Sequence, residues 1–146
     1  MKRFMFTLQS LYDIALSIEE QLKLKMQKIR ERLNATLSEL EQTRKDLAYT
    51  QQSLAKDMRL GVGSDKLLSY SQYCEKLTDC LDILEEKRKK IELEKQKCRK
   101  EQIENKKELK TYEKLRAKQY EEYLFEAARE EEKNIGDFVS YQTSIK

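Results

Sequence analysis

The chain has 146 residues, 39% of them charged and 38% hydrophobic, with no proline, tryptophan or histidine. Ala, Glu, Lys, Arg and Leu fill 77 of the 146 positions, a composition of long or coiled-coil helices that leaves apolar surface for a seam but not for a thick core. Thirty basic against 27 acidic side chains give a net charge of +3, too balanced for a dedicated nucleic-acid binder, in which one sign dominates a face.

Met1-Lys2-Arg3 opens the chain with positive charge, but Gln9, Ser10, Asp13 and Glu19 interrupt the apolar residues after it. No signal-peptide core forms and no run reaches the length of a membrane span, so a cytoplasmic protein is expected. Cys74, Cys80 and Cys98 are odd in number, have no CxxC spacing and no histidine to complete a metal site; free thiols in a reducing compartment are expected.

A first helix is expected over about 5–59. Apolar residues recur at Leu8, Leu11, Ala15, Ile18, Leu22, Met26, Ile29, Leu33, Leu37, Leu40, Leu47, Leu54 and Met58. Arg44 and Gln51 fill the two gaps and give steps of three and four, a period of about 3.57, between coiled coil and straight helix. Without proline nothing interrupts it. The turn is expected at about 60–64, where Gly61 and Gly63 can take the left-handed conformation that ends a helix, and Ser64 or Asp65 offers an N-cap for the next.

A second helix is expected over about 65–135, ending at Asn134-Ile135-Gly136, with a frayed tail over 136–146. Tyr70, Leu77, Leu84, Ile91, Cys98, Asn105 and Tyr112 repeat every seven residues, and Asn105, the one strongly polar member, fits a register-setting role. A short loop makes the helices antiparallel neighbours. The fold class is therefore all-α, one long antiparallel two-helix coiled-coil hairpin over 1–146. Folding about Val62 sets residue i opposite roughly 124 − i, so Leu47 faces Leu77 and Leu40 faces Leu84. The second helix then outruns the first and exposes Tyr120, Tyr123, Leu124, Phe125, Ala127 and Ala128.

Acid–base catalysis needs a concave, water-poor site that perturbs carboxylates, and a two-helix rod has none. Gly61-Val62-Gly63 lacks the lysine and spacing of a phosphate loop. The chain is therefore expected not to be an enzyme, with no cofactor, metal or small-molecule substrate. The run Glu85–Lys110 holds 11 basic and 7 acidic residues. It reads as a solvated face stitched by i,i+4 pairs such as Glu86–Lys90, since acids interleave too regularly to leave a clean basic stripe. Aromatics for base stacking are missing there, so no nucleic-acid partner is expected; a nucleic-acid-binding helical arm is the alternative. Ten of the eighteen residues from Leu67 to Leu84 are apolar or Cys, most of them spread over an arc of about 140°, wider than a two-stranded seam needs. Two readings stay open for that arc: tight packing beside the turn, or a second apolar face kept for a partner.

The opening Phe4-Met5-Phe6-Thr7-Leu8-Gln9-Ser10-Leu11 resembles the Phe-x-Phe-x-Leu-x-x-Leu start common in the flagellar export protein FliJ family. Leu54, Asp57-Met58, Gly61-Val62, Ser64, Tyr70, Gln72-Tyr73 and Leu77 resemble that family's turn and early second helix. The resemblance implies a non-catalytic coiled-coil stalk and adaptor of the flagellar type III export apparatus, peripherally associated with the inner face of the cell membrane. The implied partners are the hexameric export ATPase, whose ring assembly it promotes, the membrane export gate and export chaperones. The related stalk of a virulence-type secretion system is the alternative within binding proteins. The family's gate-binding positions carry over to Tyr73, Leu77, Cys80 and Leu84, inside the wide arc, which favours the partner-face reading. On the first helix the same register gives Glu39, Thr43, Asp46 and Thr50, where the family has glutamine, leucine and tyrosines. Contact with the ATPase ring is expected from Phe4, Phe6, Leu8, Tyr120, Tyr123 and Phe125, at the terminal end of the hairpin.

Overall fold

The computed structural model describes residues 2–145. Two helices, α1 (Gln9–Leu60) and α2 (Ser64–Ile145), pack against each other in an all-α hairpin, with no strand among the described residues. Their contacts gather into two units, Leu22–Glu101 and Met1–Gln21 with Gln102–Lys146.

In the unit Leu22–Glu101 the buried positions fall in rows spaced by seven. On α1 one row is Leu22, Ile29, Thr36, Thr43 and Thr50, and the other is Met26, Leu33, Leu40, Leu47 and Leu54. The facing rows of α2 are Tyr70, Leu77, Leu84, Ile91 and Cys98, with half-buried Cys74, Leu81, Arg88 and Lys95 beside them. The centre of this core is Leu22, Met26, Ile29, Leu33, Ile91 and Cys98. The seam thus keeps the coiled-coil period of 3.5 rather than about 3.57. It passes through three threonines, while Leu37 is 43% exposed and Arg44 and Gln51 point to solvent. Threonine is tolerated because each hydroxyl donates to the carbonyl four residues back (Thr36 to Arg32 at 3.0 Å, Thr43 to Glu39 at 2.8 Å, Thr50 to Asp46 at 2.7 Å). The methyl is left to pack across the seam.

Ion pairs along the helix–helix edge set the antiparallel register. Arg32 grips Glu94 through both guanidinium nitrogens at 2.9 and 3.4 Å, and Lys25 reaches Glu101 at 3.6 Å, pairs whose numbers both add to 126. Arg44 meets Glu85 at 2.8 Å. These pairs are largely exposed, so each adds little to stability and serves alignment more. At the turn, Gly61 takes φ +83° and closes α1 by donating its N–H to the Met58 carbonyl at 3.4 Å. Leu67 N–H bonds the Gly63 carbonyl at 3.2 Å, so α2 starts at Ser64 with Gly63 before it, and Asp65 sits in the first turn, where its charge suits the helix dipole.

In the unit Met1–Gln21 with Gln102–Lys146, α1 begins at Gln9 and not near residue 5. Residues 2–6 are not helical: Phe6 is buried and Phe4 half-buried, while Met5 between them is 82% exposed, the period-two alternation of an extended segment. Phe4 packs on Tyr120 and Tyr123, with ring centroids 5.1 and 5.4 Å away. Those two tyrosines are therefore partly covered, and the uncovered part of α2 starts after Tyr123. The helix continues through Asn134-Ile135-Gly136 to Ile145, where an end at 135 and a frayed tail over 136–146 are expected from sequence; Lys146 lies outside the described residues. One glycine inside a helix costs only ~1 kcal/mol, and no proline follows to stop the chain. From residue 124 to 145 every residue except Ala127 is exposed.

Candidate functional site

In the unit Leu22–Glu101 the surface beside the turn is shaped by Tyr70. Its hydroxyl donates to Asp57 at 2.6 Å, and Lys66 reaches the same carboxylate oxygen at 3.4 Å. The Tyr70 hydrogen bond, helped by Lys66, holds the Asp57 carboxyl below the usual carboxylate range; the same bond raises the Tyr70 phenol. The ring of Tyr70 becomes the floor of a shallow, open groove lined also by Tyr49, Thr50, Ser53, Ser69 and Tyr73. Tyr49 is 72% exposed and Tyr73 46%, so the groove presents two unsatisfied aromatic faces. A second shallow groove is lined by Glu39, Gln42, Thr43, Cys80, Ile83 and Leu84, with Ile83 68% exposed.

The four positions carried over for gate binding divide here. Leu77 is buried in the seam and Leu84 half-buried in the same row; Tyr73 and Cys80 lie off it and line the grooves. Three of the four first-helix positions are brought beside them, Thr50 with Tyr73 and Glu39 and Thr43 with Cys80 and Leu84, whereas Asp46 lines neither groove. Tyr49, the most exposed aromatic of the first groove, is not singled out by the sequence. Its only signal there is an aromatic residue one place before the seam threonine.

In the unit Met1–Gln21 with Gln102–Lys146 six aromatic residues form two clusters of three. Phe4 packs on Tyr120 and Tyr123, Tyr120 stacks on Tyr123 at 6.2 Å, and Phe6 meets Tyr12, which meets Tyr112 at 6.3 Å. The Tyr123 hydroxyl donates to the Lys2 carbonyl at 2.9 Å, and Thr7 and Gln119 exchange hydrogen bonds, which pins the extended start of the chain on α2. Phe4, Tyr12, Arg116, Ala117 and Tyr120 line an open hollow in this unit. Of the six residues expected at the ATPase, Phe6 is buried, Phe4, Leu8 and Tyr123 are half-buried, and Tyr120 and Phe125 stay exposed, Phe125 by 66%. No cluster of three or more potential metal ligands occurs among the described residues.

These two aromatic surfaces sit on a sequence that the family description "Flagellar FliJ protein" matches over residues 4–145. The chain belongs to the FliJ family. The match covers both the extended Phe4–Phe6 start and the glycine turn. No individual curated protein and no solved structure matches it. FliJ membership gives the chain a role connected with flagellar protein export, in a family that is not catalytic. No helix among the described residues is long and apolar enough to cross a membrane.

Proposed function

We propose that this FliJ-family chain is a non-catalytic stalk and adaptor of the flagellar type III export apparatus, binding the export ATPase ring, promoting its assembly and coupling it to the membrane export gate. Export chaperones are further partners in this reading, and the chain works in the cytoplasm against the inner face of the membrane. The observation that carries the reading is the family match over residues 4–145. The aromatic cluster of Phe4, Tyr120 and Tyr123 beside exposed Phe125 supports a ring contact, because a few partly buried aromatic anchors supply most of an interface's binding energy. The grooves at Tyr49, Tyr73, Cys80 and Ile83 support a second docking surface for the gate.

A pull-down of the purified chain against the cognate export ATPase, followed by an ATPase assay with and without the chain, tests this. Capture together with stimulated hydrolysis is expected. A folded chain that neither binds nor stimulates the ATPase overturns the reading.

A further inference from the structure

The fold sorts the charges of α2 in a way that the order of the residues conceals. In the unit Leu22–Glu101, four of the five acids of α2 from Glu85 onward are engaged: Glu85 with Arg44 and Arg88, Glu92 with Arg88, Glu94 with Arg32, Glu101 with Lys25. The expected Glu86–Lys90 pair is absent from the ion pairs of the described residues. The heptad positions of α2 farthest from the seam hold Lys89, Lys90, Lys97 and Lys100, all exposed and none of them in an ion pair. Leu93, 65% exposed, lies among them. In the other unit the same heptad positions of α2, as far as Lys118, hold Lys107, Lys110, Lys114 and Lys118, again exposed and outside every ion pair, with Ile103 50% exposed and Glu104 the one acid. A basic stripe is therefore present between Lys89 and Lys118: these outward positions hold eight lysines and one acid, Glu104, while Glu85, Glu94 and Glu101 are drawn to bases of α1.

We propose that the outward lysines of α2, those of each unit taken by itself, dock on an anionic lipid bilayer. Three features select that occupant over nucleic acid. Every base on the face is lysine, whereas the arginines Arg32, Arg44 and Arg88 are used for fixed ion pairs inside the fold. Lysine is a hydrated point charge on a flexible stem, suited to a diffuse layer of headgroups; arginine's planar fork is the better reader of phosphates held at set positions. Leu93 and Ile103 stand exposed among the lysines, where a phosphate backbone gives them nothing to bury against, while the boundary between headgroups and acyl chains does. No aromatic side chain shares these positions to stack on a base. The long lysine stems let the charges reach the headgroups while the helix lies on the surface. This goes beyond docking on the ATPase and the gate: it needs neither protein and uses none of the residues assigned to them.

Each lysine near an anionic surface multiplies partitioning by about five. The test is sedimentation of the full chain with vesicles of equal parts phosphatidylglycerol and phosphatidylethanolamine, beside vesicles of phosphatidylcholine alone. Binding to the anionic vesicles only, falling steeply as salt rises, is expected. Replacing Lys89, Lys90, Lys97 and Lys100 together by Gln should lower partitioning by roughly tenfold or more, and so should the same change at Lys107, Lys110, Lys114 and Lys118. Both sets are solvent-facing, and unchanged circular dichroism verifies that the variants stay helical. Leu93→Ser with Ile103→Ser should weaken the binding left at high salt while preserving its salt dependence. Equal binding to neutral vesicles, or lysine variants that bind as the wild type does, overturns the proposal. Tighter binding to a duplex DNA or RNA fragment than to the anionic vesicles also overturns it and assigns the face to nucleic acid.

Discussion

Asn105 donates its side-chain amide to the backbone carbonyl of Ala15 at 3.0 Å, linking α2 to α1 across 90 residues of sequence. Asn105 is 6% exposed and Ala15 3%. The bond depends on both identities: alanine is small enough to bring its carbonyl within reach, and only one register puts an amide opposite it. A buried polar residue in a heptad seam fixes alignment at some cost in stability.

Asn105→Leu should therefore leave the melting temperature unchanged or raise it, while loosening alignment. Measured by sedimentation velocity, the variant should show self-associated species that the wild type lacks. Ala15→Leu should instead destabilise by about 1–3 kcal/mol, because the side chain has no space beside Asn105. Melting curves in the opposite order would remove Asn105 from its aligning role.

The seam itself is tested by comparing two apolar residues that sequence treats alike. Ile91 is 1% exposed and Leu37 43%. Ile91→Ala should cost about 2–4 kcal/mol and Leu37→Ala less than ~1 kcal/mol, read from chemical denaturation. Equal losses would mean that α1 is rotated about its axis from the seam described.

The Tyr70–Asp57 bond gives the region beside the turn a pH dependence with two edges. Asp57 has its pKa lowered by the fold, so its contribution is complete above the usual carboxylate range and is lost as pH falls through the depressed value. Tyr70 has its pKa raised, so its contribution is complete below the usual phenol range and is lost as pH rises through the elevated value. Ultraviolet titration should find one tyrosine ionising later than the others. Tyr70→Phe should abolish that late step and return Asp57, followed by carbon NMR, towards the ordinary carboxylate value. A late phenol that survives Tyr70→Phe would belong to another tyrosine.

Much of the fold is legible in residue order because a hairpin asks little of it. Gly61 and Gly63 are the only interior break, and the row from Tyr70 to Tyr112 keeps its period of seven through Cys98 and Asn105. What escapes sequence is decided by partners distant along the chain. Thr36, Thr43 and Thr50 read as surface until their hydroxyls are seen to bond within their own helix. Phe6 falls inside the helix expected from about residue 5, yet it belongs to an extended segment, in which Phe4 covers Tyr120 and Tyr123 and Phe6 meets Tyr12. The charges from Glu85 to Lys110 look mixed until bases of α1 claim Glu85, Glu94 and Glu101. Tyr73, Cys80 and Leu84 are legible as an apolar arc, but which of them face solvent depends on where α1 lies.

The two proposed docking surfaces predict separable losses, and the structure changes which substitutions can show it. Tyr123→Ala is a poor probe, since Tyr123 holds Lys2 by a hydrogen bond and packs on Phe4, so its loss would release the start of the chain. Phe125 has no aromatic partner and is 66% exposed, so Phe125→Ala removes contact surface and little else. Leu77→Ala is unsuitable at the other surface because Leu77 is buried in the seam, whereas Tyr73 and Tyr49 stand exposed at the groove. Phe125→Ala should weaken binding to the export ATPase by roughly tenfold or more, the loss typical of an exposed aromatic anchor, with gate binding unchanged. Tyr49→Ala with Tyr73→Ala should do the reverse. Both measurements use titration calorimetry with each purified partner, on variants first shown to keep wild-type helicity. A folded variant that loses both partners together would mean that the surfaces do not act separately, and the assignment of one to the ATPase and the other to the gate would fall.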